Sequence, residues 1–497
     1  MKRLDQLTFT RFAMVMLVLF YHGTSGFYTG FLDFFPFSAL IRSAPTAVSY
    51  LYVLSGFVMS LVYYKPGEKF DAVGYWRARF IRIYPLYIVS FALMCVYYFD
   101  SLLRIKPQKI LANIFVVQAW IPAYSQSFNY ASWSMTVEFF FYALFPFLML
   151  WAYRQSTRKL IWTSIALWIL SQAVHFTLWT GYYPEQKEFI VYSPIFHLNS
   201  FVMGVTGGIW YLREGRNQKA KPWVILSLLA VSFLLVAGYT VVSSDVLQVL
   251  PHDLQPMAGL LAPLMILFIV SLAIDQSRLS QALSRSVFVN LGETAYAIYI
   301  LHVPVVWLYE RALENSAIAD PYFFLQRTFL PIMITIGLIA HFYVDIPLRR
   351  WLKGLLQRIS MRVLLLDLAI LTLSVFLVFR LRFGEGREYQ SYREMERLIF
   401  WTAFLIRPLT AILLGAFSPT GFQKPVAHMV RTAALSVTIG SLAIAAIAYI
   451  GYFTGWFENF PRSVFIYDWL IVLTLSLLVR FGFRAFKIYK PDRNASS

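Results

Sequence analysis

Leu7-Thr8-Phe9-Thr10-Arg11-Phe12-Ala13-Met14-Val15-Met16-Leu17-Val18-Leu19-Phe20-Tyr21-His22 is an apolar run with an ionisable residue near each end. Arg11 and His22 are eleven residues apart. At ~100° per residue, eleven steps return to nearly the same helix face, ~16 Å further along the axis. One membrane helix would therefore carry a cation near its start and an imidazole deep along the same stripe. Ionisable groups in lipid are costly and mark candidate functional sites. The structural alternative is that Arg11 snorkels to the headgroups while His22 ends the helix at the far interface.

Composition agrees with a membrane setting. The 497 residues are 59% hydrophobic, 18% aromatic and 14% charged, and the mean hydropathy is positive. Soluble domains do not have this composition. Fourteen apolar runs near the length needed to span a bilayer follow at about 7–25, 45–64, 83–101, 135–153, 159–180, 192–212, 222–242, 256–275, 287–309, 323–344, 361–382, 398–417, 429–452 and 463–485. The expected fold is an all-α polytopic integral membrane helical bundle. The net charge of +18 fits basic cytoplasmic loops, and no nucleic-acid partner is expected. The single cysteine, Cys95, excludes an intrachain disulfide and a cysteine metal cluster, and no metal site is expected. Met-Lys-Arg before an apolar stretch imitates a signal peptide, but no small-residue cleavage site follows cleanly, so the segment is expected to stay.

With the N-terminus inside, the even-numbered spans lead into basic loops: Lys65 to Arg82, Arg154 to Lys159, Arg213 to Lys221, Arg278 and Arg285, and Arg349-Arg350 to Lys353. Residues 243–255 on the opposite side hold no Lys or Arg. Both termini are thus expected in the cytoplasm. Two stretches strain this topology. Residues 102–134 carry Arg104, Lys106 and Lys109, and their apolar piece 110–120 is too short to span, so it is read as interfacial or re-entrant. Residues 383–397 carry Arg387, Arg393 and Arg397. A boundary falls at 351–360, a basic amphipathic linker, with ten spans before it in 1–350 and four after it in 361–497. The tail 490–497 is polar and expected to be loose.

Three constellations carry candidate chemistry. Arg77, Arg79 and Arg82 close the loop 65–82. Arg79 and Arg82 share a helix face, and arginine forks suit phosphates, although plain positive-inside charge is the simpler reading. They lie on the side where Arg11 enters. Glu138, in Trp133-Ser134-Met135-Thr136-Val137-Glu138, sits at the outer end of the fourth span, on the side of His22. A carboxylate at a helix start has a structural explanation in the helix dipole, while a His/Glu pair could move a proton. Tyr296, Tyr299 and His302 form a third polar stripe in the ninth span, where tyrosines also belt the interface.

Arg11-x10-His22, Leu54-Ser55-Gly56-Phe57, Arg79-x2-Arg82 before Ile83-Tyr84-Pro85, Trp133-Ser134-x3-Glu138 and Leu291-Gly292 to Tyr296, Tyr299, His302 and Pro304 together resemble the signature of the acyltransferase-3 family of bacterial membrane O-acyltransferases. The resemblance covers about residues 1–350, a ten-helix core, and leaves four additional transmembrane helices. It implies a multi-pass protein of the bacterial inner membrane. It implies transfer of an acyl group, commonly acetyl, from cytosolic acyl-CoA to a hydroxyl of a cell-surface or exopolysaccharide sugar, or of a lipid-linked glycan. Acyl-CoA would be a co-substrate, with no bound cofactor. It further implies that Arg11 and His22 are essential, with His22 as base, and that Arg79 and Arg82 meet the acyl donor. Glu138 is then placed to orient His22 or raise its basicity. Trp133, Ser134, Tyr296, Tyr299 and His302 complete the polar lining. A direct attack and an acyl-histidine intermediate both satisfy the residues.

Residues 361–497 resemble the four-helix membrane anchor of polysaccharide-biosynthesis nucleotide-sugar dehydratases, through Arg362 to Asp367 and Phe460-Pro461-Arg462-Ser463-Val464-Phe465-x2-Asp468-Trp469. No Gly-x-Gly-x-x-Gly follows a strand, so no dehydratase activity is expected. The region is expected to dock polysaccharide-assembly enzymes, or only to add anchorage. Two rivals stand beside the enzyme: a transporter or flippase of a lipid-linked sugar, and a structural subunit of a glycan synthase. Both predict independence from acyl-CoA.

Overall fold

The structure, a computed structural model, describes residues 4–23, 41, 44–181, 187–218, 222–245, 259–316, 318, 320–357, 361–384, 386–417, 424–456 and 460–485. The described residues are mostly helical, and among them there is no strand. Ten of their helices are long and apolar enough to cross a membrane, and the chain is an all-α polytopic membrane protein. The tail 490–497, positions 246–255 of the basic-free loop and the end of the linker, 358–360, lie outside the described residues.

Every expected span coincides with a helix. The first unit (1–99 and 112–349) contains α1 Gln6–Gly23, α2 Ala44–Tyr63, α3 Ala72–Tyr97, the end of α4 Pro107–Ile114, whose residues 107–111 belong to the second unit, α5 Trp133–Ala152, α6 Thr157–Gly181, the short α7 Lys187–Tyr192, α8 Pro194–Arg213, α9 Pro222–Asp245, α10 Ala262–Ile274, the short α11 Arg278–Leu283, α12 Ser286–Glu314 and α13 Pro321–Ile339. A π-helical turn at Ala340–Asp345 leads into α14 Ile346–Gln357. The second unit (100–111 and 350–497) contains α15 Met361–Phe383, α16 Arg387–Leu413, α17 Val426–Phe453 and α18 Arg462–Ala485.

Two helices begin well before their expected spans. The third span begins at Ala72, not 83, because the Asp71 carboxylate caps the helix by accepting the Gly74 N–H at 2.9 Å. Arg77, Arg79 and Arg82 therefore stand on a helix rather than in a loop. Likewise α16 starts at Arg387, so most of 383–397 is helix and not a connecting loop. Apolar runs mark where a helix meets lipid; caps mark where the helix starts. Before α5 begins at Trp133, the ambiguous stretch 102–134 contains the eight-residue α4 and 3-10 turns at Phe99–Arg104, Gln118–Trp120, Pro122–Tyr124 and Tyr130–Ser132, each far short of the ~20 residues a span needs. Its second half is folded inward. Gln118 is fully buried and donates to the Ser132 carbonyl at 3.1 Å, Asn113 donates to Ser127 Oγ at 2.7 Å, and Tyr87 donates to the Asn113 carbonyl at 2.6 Å. Non-helical backbone survives at depth only when it is satisfied in this way. The segment is too short to span and is packed against the helices, as both the interfacial and the re-entrant readings allow.

The first unit is held by backbone contact between helices. A Cβ on Gly204 of α8 would lie 2.0 Å from the Val53 carbonyl of α2, and one on Gly56 would lie 2.2 Å from the Phe201 carbonyl. Gly208, one turn beyond Gly204, would meet the Phe57 carbonyl at 2.7 Å. Lipid provides no hydrophobic drive between helices, so small residues that allow close approach supply the packing. Gly204→Val is expected to force α2 and α8 apart, and fluorescence-detected gel filtration in detergent would show loss of the monodisperse peak.

The same device joins α1 to α12. A Cβ at Gly292 would lie 2.1 Å from the Thr8 carbonyl. Two turns and more beyond, His22 touches His302, so the two helices run parallel and bring their far ends together.

Candidate active site

Proline places the first functional turn. Within α12, Pro304 lacks the N–H that would bond the Ile300 carbonyl four residues back. That carbonyl is satisfied from outside the helix instead, by Ser90 Oγ and Asn129 Nδ2, each at 2.8 Å. Asn129 Nδ2 also reaches Ser90 Oγ at 2.8 Å. The re-entrant segment is thereby tied to α3 and α12 at the turn carrying His302. Pro146 does the same in α5: it frees the Tyr142 carbonyl, which accepts the Trp76 indole N–H at 3.0 Å. A helix that shows an inward proline must find a side chain to repair it.

At the Pro304 kink, His302 Nδ1 bonds the Tyr299 carbonyl at 2.5 Å, and His302 Nε2 meets His22 Nδ1 at 2.8 Å. The two imidazoles lie nearly parallel, 9° apart, with centroids at 5.0 Å. The Tyr130 ring stands edge-on to His22 at 4.9 Å. His302 is 1% exposed, whereas His22 is only partly buried. The hydrogen-bond partner the structure gives His22 is thus a second histidine. Glu138, expected to pair with His22, accepts from Tyr142 at 3.3 Å, one turn along its own helix.

Below this pair lies a cavity of about 260 Å³. Arg11, Arg79, Arg82, Glu138, Ser134, Tyr296 and Tyr299 line it, with an apolar wall that includes Val15, Leu51, Val58 and Met59. Arg79 is held in a tyrosine cage: its Nη2 donates to Tyr63 OH at 3.0 Å, and its guanidinium carbon lies 5.4 to 6.0 Å from the rings of Tyr63, Tyr75 and Tyr142. Planar guanidinium on aromatic faces is pre-organised for an anion. At the other end, Tyr299 OH and Ser134 Oγ are 2.8 Å apart, and Tyr299 OH also donates to the Ala131 carbonyl at 3.2 Å. Tyr299 therefore connects the cavity to the histidine pair: its side chain is part of the cavity lining and its carbonyl holds His302. Tyr296 donates to the Ile83 carbonyl at 2.7 Å and fixes α12 to α3 beside the arginines.

The structure brings Arg11, Arg79, Arg82, Glu138, Ser134, Tyr296 and Tyr299 around one cavity, with His22 and His302 paired just past Tyr299. Arg77 and Trp133 are not among the cavity's lining residues; the Trp133 ring packs against Tyr192 and His197, each at 5.2 Å. Sequence reasoning gave no role to Tyr52 or Tyr142, or to Ser55 and Glu293 within the family motifs, all of which line the cavity, nor to Tyr130 against His22. Tyr142 carried a signal, its i+4 spacing from Glu138. Tyr52 and Tyr130 are indistinguishable in sequence from packing aromatics. Among the described residues no cluster of side chains is suited to a metal ion.

Three arginines and a carboxylate line one cavity among membrane helices, with a histidine pair just beyond Tyr299, an arrangement suited to group transfer by a multi-pass protein. The chain belongs to the acyltransferase-3 family, whose sequence profile, described as an acyltransferase domain, matches residues 4–344. It is a membrane acyltransferase. It is 28% identical to acyltransferase MdmB of Streptomyces mycarofaciens over 278 residues, 52% of this chain and 67% of that protein. It is 22% identical to O-acetyltransferase OatA of Staphylococcus aureus (strain NCTC 8325 / PS 47) over 329 residues, 61% of this chain. The match spans about half, 52%, of the length of OatA. No solved structure matches the chain.

Proposed function

We propose that this enzyme moves an acyl group, acetyl in the first instance, from cytosolic acyl-CoA to a sugar hydroxyl of a cell-surface polysaccharide or its lipid-linked precursor, in the bacterial inner membrane. The observation that carries this reading is the cavity, with three arginines at one end and the Ser134–Tyr299 bond at the other, directly before the histidine pair. CoA is a phosphate-rich head on a long thin arm. Arg79 and Arg82 would take phosphate, and the arm would follow the apolar wall past Arg11 towards Tyr299. The thioester then meets the acceptor hydroxyl beside His22, which removes the proton as the oxygen attacks. The acceptor oxygen forms the new ester, the carbon–sulfur bond breaks, and the thiolate leaves. Glu138 contributes negative charge inside the cavity beside Arg11 and Arg79. The basic loops support a cytoplasmic position for both termini.

The test is direct. Membranes containing the chain are incubated with labelled acetyl-CoA and the producing cell's own glycan lipids, and label is followed into base-labile ester. Ester label above that of membranes lacking the chain supports the reading; none with acetyl-CoA or longer acyl-CoAs would point to another acyl donor or acceptor. Within the same assay, Arg79→Gln is expected to raise the acyl-CoA KM about tenfold or more, the scale of one lost charge-assisted phosphate contact, with a smaller change in kcat.

Residues 361–497 are proposed as a docking module for polysaccharide-assembly enzymes. Unchanged localisation, activity and co-purifying partners after their deletion would leave them as anchorage alone.

A further inference from the structure

We propose that His302 is a positioning residue that locks His22 in one tautomer, so that His22 Nε2 is the atom that takes the acceptor proton. This rests on the acyl-transfer reading above and goes one step into its chemistry. The argument runs along a single chain of hydrogen bonds. A backbone carbonyl can only accept, so the 2.5 Å contact between the Tyr299 oxygen and His302 puts a proton on His302 Nδ1. His302 is 1% exposed, and the partners it is shown with are a carbonyl and another imidazole, neither of which compensates a buried cation. It is therefore the neutral Nδ1–H form, and its Nε2 carries a lone pair. That lone pair must accept from His22 Nδ1, 2.8 Å away. His22 then holds its own proton on Nδ1 and its lone pair on Nε2.

The groups around the two rings agree. Tyr21, Tyr130 and Tyr299 face them through their rings. The order of parts, carbonyl to His302 to His22, does the work that a carboxylate does in a catalytic triad, orienting the base imidazole and fixing its tautomer. A carbonyl-anchored histidine achieves this without burying a charge in the membrane. During transfer, the acceptor hydroxyl proton moves to His22 Nε2 while the acceptor oxygen bonds to the thioester carbonyl carbon. His22 is briefly an imidazolium, still donating from Nδ1 to His302. When the carbon–sulfur bond breaks, the Nε2 proton passes to the departing thiolate and His22 returns to its starting tautomer.

The test uses the full chain in membranes, labelled with 15N-histidine and read by solid-state NMR, with a His22→Gln sample identifying the His22 signals. The expected wild-type result is a neutral His22 protonated at Nδ1 and bare at Nε2. His302→Gln keeps an acceptor oxygen for His22 Nδ1 and is expected to retain that signature, with kcat within about tenfold of wild type. His302→Phe removes the acceptor; the His22 signal is expected to show the Nε2–H form, and kcat to fall at least ~100-fold, the scale of losing a correctly oriented base, with the acyl-CoA KM little changed. A wild-type His22 protonated at Nε2, or full kcat in His302→Phe, overturns the proposal. The tautomer is read without any acyl donor, so a failure of the acyl-CoA reading shows separately, as wild-type membranes that form no ester while the NMR arm still decides the role of His302.

Discussion

Replacing His22 with alanine is expected to lower acyl transfer by about 10²- to 10⁴-fold, the contribution of a well-placed general base, while the protein still folds. His22 is one of two partners in a hydrogen bond at the partly exposed end of α1. The contacts that seat that helix lie elsewhere, at Thr8 against Gly292 and at the Tyr50–Thr10 bond of 2.9 Å. Removing the imidazole therefore takes away the base and leaves the scaffold. The measurement is label from acetyl-CoA in base-labile ester, at matched amounts of protein with matched thermal unfolding in detergent. Ester formation equal to wild type would remove His22 as the base. Stable label on the wild-type chain without acceptor, absent from His22→Ala, would replace direct attack with an acyl-histidine intermediate.

The second large effect belongs to the four-helix unit. Arg407 of α16 and Asp468 of α18 form an ion pair, both nearly inaccessible. Ser374 of α15 donates to Asp468 Oδ1 at 2.8 Å, and Arg407 Nη2 donates to Ser441 Oγ of α17 at 3.2 Å. One ion pair thus ties all four helices together. A second, Arg480 to Asp367 at 2.7 and 3.0 Å, joins α18 to α15. Arg407→Met leaves the Asp468 charge buried and is expected to destabilise the unit by about 3–5 kcal/mol. Adding Asp468→Leu removes the orphaned charge, and most of that loss should return. Thermal unfolding of the purified single and double variants checks this. A double variant no better than Arg407→Met would mean the pair matters for helix geometry rather than for charge balance.

Much of the fold was legible in the sequence because lipid imposes a one-dimensional rule: a long apolar run must be a helix. All fourteen spans fell on helices for that reason. The boundaries at Ala72 and Arg387 were not legible from hydropathy, since a charged helix end extending beyond the apolar run obeys capping and not lipid. Asp71 was the readable signal for the first of them. Of the site, Arg11, Arg79, Arg82, Glu138, Ser134, Tyr296 and Tyr299 were all singled out in advance and line one cavity, because ionisable and hydroxyl groups stand out against an apolar chain. Tyr52 did not stand out, since in a chain with 31 tyrosines a functional ring looks like a packing ring.

What the sequence determined by itself is the all-α membrane class, the family motifs and the set of polar residues that lipid would not tolerate without a purpose. What only the tertiary structure decided is who meets whom. Helical spacing placed Arg11 and His22 on one stripe, but it could not report that Gly292 admits the Thr8 backbone and runs α1 parallel to α12. That approach seats His22 on His302 rather than on Glu138. Nor could it pair Asp367 with Arg480 and Asp468 with Arg407 across more than sixty residues. Periodicity fixes the face a residue occupies on its own helix; partners are fixed by how closely two backbones can pack, which depends on small residues distant in the chain.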